Sequence, residues 1–226
     1  MLNRKILALV LPAVAVSALV GSGFSAWYFY DSGNYSTEDV NVSVSVEDKV
    51  DQKIGSLDLN SEIRNIKLVL DQGGYENREA PTKGISFVNN GTPSATVDNI
   101  GANFTFTDST VFKNLSDANL EIRVTTKVVF STILFEHLTL KGLAGDNYSS
   151  VIDAEAGTTT YTATTDVTAA TGFSETIELM NARGDCSFFE YKVKPQNSKQ
   201  HKDMQDDLAT ATITFNWSAA LFENNN

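Results

Sequence analysis

Two imidazoles, His137 in FEHLTL and His201 in KQHKDM, are all that a 226-residue chain offers for histidine chemistry. A zinc hydrolase needs two histidines on one helical face flanking a glutamate, and FEHLTL supplies one in a strand-like run. The chain also lacks a G-x-S-x-G elbow, a phosphate-binding loop and a dinucleotide fingerprint. A carboxylate pair for glycoside hydrolysis leaves no local spacing, so a hydrolase would need such a pair assembled near His137 by the fold. The expectation is a protein that is not an enzyme.

Other reactive types have simpler readings. Asp203, Asp206 and Asp207 crowd one segment and Asp153 and Glu155 another, which raises calcium. Neither follows an EF-hand pattern, so solvated acidic loops are the expectation and no cofactor is assigned. Cys186, the single cysteine, rules out an internal disulfide and reads as a buried strand residue. Arg183-Gly184-Asp185 reads as a turn before a strand. Asn34, Asn41, Asn90, Asn103, Asn114, Asn147 and Asn216 each begin N-x-S/T and are candidate glycosylation sites. Asn41, Asn103 and Asn216 also fall on outward positions of expected strands, where a polar residue is ordinary.

What must position these groups begins with a leader. Arg4 and Lys5 precede an apolar run, and the uncharged stretch from Ile6 to Tyr30 counts 25 residues. As a helix it would extend roughly 37 Å, enough to cross a bilayer. Its strongly apolar part ends near Val20, and Gly23, Ser25 and Ala26 supply the small residues a signal peptidase needs, so cleavage is favoured. Trp27, Tyr28 and Tyr30 are interface aromatics that keep a retained anchor over residues 6–30 as the competing reading. The organisation expected is a signal over 1–26, an aromatic segment and first strand over 27–50, and one domain over 51–226. A net charge of −11 makes nucleic acid and anionic lipid surfaces poor partners, leaving membrane contact to the leader alone.

The remainder alternates with period two. DVNVSVSVED puts Val40, Val42, Val44 and Val46 on one side of an extended chain, with Asn41, Ser43 and Ser45 on the other. Similar patterns occur in NIKLVLDQGG, in KGISFVNNGTP with the longer strand after it, and in GTTTYTATT, FSETIELM and CSFFEYKVK. NLEIRVTTKVVFSTILFEHLTLKG reads as two strands or one long bent strand. In ATATITFNWSAALF, Ala211, Ile213, Phe215 and Trp217 face inward. NSKQHKDMQDDLAT and KNLSDANL read as short helices or turns. Around ten strands separated by turns predict an all-β fold, an antiparallel β-sandwich of jelly-roll type.

A strand at a free N-terminus can complete a neighbour's sheet as readily as its own, and the residues leave both options open. The segments VGSGFSAWYFYD, GSLDLN, GISFVNNGT and ATITFNWSAALFEN, spread over most of the chain, resemble the TasA/camelysin family of exported biofilm-matrix fibre subunits. That resemblance implies a jelly-roll domain, a dedicated export signal peptidase, and extracellular fibres in which each copy donates an N-terminal strand to another copy of itself. Carried over, the assembly strand is Val40, Val42, Val44 and Val46. Here the stretch before GSLDLN is longer than the family's pattern and carries its own strand, and the metalloprotease label of camelysin relatives has no zinc motif to rest on. The alternative function is a membrane-anchored surface module that binds glycan or a host protein.

Overall fold

The computed structural model describes residues 40–60, 65–70, 82, 84–90, 92–143, 147–196 and 198–223. The signal cleavage region with Gly23, Ser25 and Ala26, the aromatic segment and Asn34 lie outside the described residues.

The fold is mostly β. Its largest sheet has eight strands in the order β5 (Thr92–Thr96), β4 (Ile85–Asn89), β3 (Asn65–Leu70), β1 (Val40–Asp48), β13 (Thr212–Glu223), β7 (Leu120–Ser131), β10 (Thr158–Asp166) and β9 (Ser149–Asp153). A three-stranded sheet runs β11 (Phe173–Glu178), β6 (Asn99–Phe106), β2 (Gly55–Leu59), and β12 (Phe189–Tyr191) pairs with β8 (Leu138–Leu140). Three helices are described: α1 (Ser109–Asp117), the single turn α2 (Leu134–His137), and α3 (Ser198–Leu208).

The large sheet is mixed, where a wholly antiparallel arrangement was expected. β1 runs parallel to β13 from Asn41↔Thr212 to Asp48↔Ala219, while its other neighbour, β3, is antiparallel. The longer strand expected after KGISFVNNGTP is two: after β5 the chain buries Val97, whose N–H donates to Phe87 O at 2.8 Å, and then enters the three-stranded sheet as β6, which carries Phe104 and Phe106. The run STILFEHLTL turns through α2 before β8, because the Phe135 and Glu136 N–H groups close i→i−3 bonds to Thr132 and Ile133. Both segments read as short helices or turns are α1 and α3. Asp108 caps α1 by accepting from Thr110 N at 2.7 Å, and α3 buries His201, Met204 and Leu208 at helical spacing.

Period two decides what is buried. β7 turns Ile122, Val124, Val128 and Phe130 inward, and β13 turns Ile213, Phe215, Trp217 and Ala219 inward. The two strands match them in register, Phe215 beside Val128 and Trp217 beside Thr126. One apolar cluster draws on all three sheets, with Phe104 and Ile177 from the smaller sheet and Phe188 and Phe189 packed edge to face at 5.0 Å.

Candidate assembly site

β1 occupies the slot between β3 and β13. Its valines alternate as the spacing requires: Val40 is 1% and Val42 4% exposed, while Val44 and Val46 are half-buried against the same core. Their partners across the parallel pairing are large and fully buried, Ile213 beside Val42, Phe215 beside Val44 and Trp217 beside Val46. On the outer face, Asn216 Nδ2 donates to Ser45 Oγ at 3.0 Å. Contact with β3 covers Val40 to Ser43, whereas contact with β13 runs from Asn41 to Asp48. The strand is therefore held chiefly by β13.

Asp48 ends β1 and hands the chain to the smaller sheet. One carboxylate oxygen accepts from Val50 N and the other from Leu57 N in β2, each at 3.0 Å. The six-residue connection 49–54 contains a turn in which Asp51 accepts from Lys53 N at 2.9 Å and from Ile54 N at 2.7 Å. Extended, six residues reach about 20 Å.

The floor of the slot is fixed by a carboxylate that sequence reading did not single out. Glu175 on β11 accepts from Trp217 Nε1 at 2.6 Å and from Thr126 Oγ1 at 2.5 Å on one oxygen, and from Tyr148 Oη at 2.9 Å on the other. Trp217 and Thr126 are direct cross-strand partners, so a side chain of the small sheet pins two neighbouring strands of the large one. Burial, with the nearby Glu175 charge and its hydrogen bond, raises the Tyr148 phenol well above its ordinary range. The signal was present in the sequence: Glu175 shares its strand parity with Phe173 and Ile177, a carboxylate on an apolar face.

The other candidates are placed as follows. His137 Nε2 lies 3.1 Å from Asp207 Oδ2, Asp203 and Asp206 pair with Lys199 and Lys202, and Asp153 accepts from the Glu155 and Ala156 N–H groups of its own turn. No group of three metal-ligating side chains gathers among the described residues. Cys186 is buried, its thiol pushed up to about 11 by desolvation. The Arg183-Gly184-Asp185 segment is a turn, with Asn181 Oδ1 accepting from Arg183 N and Asp185 N and Gly184 at φ 75°. Among the sequons, Asn41, Asn114 and Asn147 are exposed, Asn90 and Asn103 are half-buried, and Asn216 spends its amide on Ser45. A shallow groove lined by Phe106, Phe112, Leu115, Leu120, Ile122 and Val167 has Glu121 at its rim, bonded to Arg123 at 2.9 Å.

Compared with known proteins, the chain matches no family, no curated sequence and no solved structure.

Proposed function

We propose that the chain is an exported, non-enzymatic structural subunit, a jelly-roll-like β-sandwich that assembles into an extracellular fibre by passing β1 from one copy to the next. One observation carries this reading: the first described strand lies in the middle of the large sheet, parallel to the last described one, and the short connection 49–54 leads from it to β2. A strand so placed lies between β3, which follows soon after it, and β13, the last described strand. Withdrawing it would open β3 and β13 together and uncover Ile213, Phe215 and Trp217.

Every contact β1 makes with its own chain can be made with an identical copy, so exchange conserves the contacts and alters the connectivity. Four valines at roughly 1.5–3 kcal/mol each give a gross gain of roughly 6–12 kcal/mol, nearer the lower figure because Val44 and Val46 are half-buried. Association and ordering are deducted from that sum, and repetition along a chain of copies offsets them. A head-to-tail exchange does not close on itself and yields a filament. The resemblance of VGSGFSAWYFYD and GSLDLN to exported fibre subunits supports the same reading, and an export signal peptidase would free the N-terminus for it.

Purified mature chain is expected to sediment as filaments visible by electron microscopy, and deletion of residues 27–47 is expected to abolish them. Filaments of the same form from the deleted chain would remove β1 from the account.

A further inference from the structure

The two edges of the eight-stranded sheet differ. β5 contains Pro93, which has no N–H to offer a neighbouring strand. At the opposite edge β9 reads Ser-Ser-Val-Ile-Asp, all five residues exposed, with Val151 66% and Ile152 70% open to solvent. These two alternate to opposite faces of the sheet, and the exposure of both shows that neither enters the core. β9 has no lysine, proline or register shift against β10, and its one charge, Asp153, stands at the strand's end.

We propose that β9 is a lateral interaction strand whose partner is β9 of a second copy, paired antiparallel about Val151. That register sets Val151 against Val151 and Ile152 against Ser150 of the other copy, placing two β-branched side chains per strand in cross-strand contact. Charge favours the antiparallel arrangement over the parallel one. The strand carries one charge, Asp153, which falls opposite the neutral Ser149 and about 14 Å from its own equivalent, beyond the ~8 Å screening length. A parallel in-register pairing would bring the two carboxylates side by side in a protein whose net charge is already −11. Pairing β9 with β5 instead would meet Pro93. The two-fold arrangement joins two eight-stranded sheets edge to edge.

Five residues a side bury far less than the ~1,200 Å² of a standard stable interface, so isolated copies pair weakly. Copies already arrayed along a filament pair many times over, and the edge then bundles filaments side by side. This bundling rests on the assembly reading above; the pairing of edges does not.

The test compares Val151→Cys with Ser149→Cys in the full mature chain under mild oxidation. Cys186 stays silent because it is buried. Both new thiols are exposed, but only residue 151 meets itself, so its covalent dimer is expected to form at least tenfold faster. Equal rates, as another occupant of the edge or chance collision would give, overturn the proposal. In parallel, Val151→Lys with Ile152→Lys is expected to leave single filaments and the circular dichroism unchanged while bundles disappear; bundles that persist overturn it too. Absence of any filament in the parent chain counts against the assembly reading alone, because the two oxidation rates still report on the edge.

Discussion

Trp217 on β13 donates its indole N–H to Glu175 on β11 at 2.6 Å, and the residue that Trp217 faces across the parallel pairing is Val46 of β1. The bond crosses from the large sheet to the small one. It fixes the ring against which the end of β1 packs, so a single carboxylate joins the two sheets and shapes the slot of the proposed exchange.

Removing that carboxylate leaves the buried Trp217 N–H and the Thr126 hydroxyl without their acceptor, and Tyr148 loses its own. Glu175→Ala is expected to lower stability by about 2–4 kcal/mol, and Glu175→Gln by about 1 kcal/mol because its amide oxygen still accepts. Urea unfolding followed by tryptophan fluorescence measures both. Equal losses would show that the amide oxygen does not replace the carboxylate as acceptor.

Alkaline pH acts on a buried thiol and a half-buried phenol. The Cys186 thiol is raised from 9.0 to about 11, so it stays protonated in the fold where an unfolded thiol would ionise. A group with a raised folded value contributes stability below its unfolded value and loses it as pH climbs toward the folded one. Stability is therefore expected to fall between about pH 9 and 11 by on the order of 2 kcal/mol. Tyr148, also raised, extends the decline above its ordinary 10.0, and Tyr148→Phe is expected to flatten that later part. Thermal midpoints across pH 8 to 11.5 read both effects.

Gly101 sits on β6 where a Cβ would overlap the carbonyl oxygen of Glu175 and lie 2.6 Å from Asn60 Nδ2. Gly101→Ala must push β6 and β11 apart, at an expected cost of about 1–3 kcal/mol. Its effect and that of Glu175→Ala are expected to be non-additive, since both loosen β11, and a double-mutant cycle measures the coupling. Additive losses would mean that the backbone and the side chain of Glu175 act independently.

Much of this fold was legible in period two alone. Val40 to Val46 and Ile213 to Trp217 each declared a strand and an inward face, and NSKQHKDMQDDLAT, read as a short helix or turn, is α3. The pairing of these elements was not legible, because a strand's pattern records which face is buried and says nothing about its neighbour or its direction. Nothing local to DVNVSVSVED or ATITFNWSAALF distinguishes a parallel from an antiparallel partner 171 residues away. β9 escaped notice for the opposite reason: with all five residues exposed it has no apolar alternation to read. Glu175 lay open to discovery as a charged residue on the parity of Phe173 and Ile177, yet only the fold brings Trp217, Thr126 and Tyr148 to it.

The central claim is that β1 passes between copies, and a paired-cysteine variant tests it most directly. Asn41 and Thr212 are exposed register partners in the parallel β1–β13 pair, so Asn41→Cys with Thr212→Cys places two thiols side by side wherever β1 docks. Oxidised as a monomer, the variant is expected to lock β1 into its own sheet and to stop polymerising until reduced. Assembled first under reducing conditions and then oxidised, it is expected to run as a ladder of covalent oligomers on a non-reducing gel. Oxidised filaments that instead dissolve into internally linked monomers would show that each copy keeps its own β1, and would contradict the account.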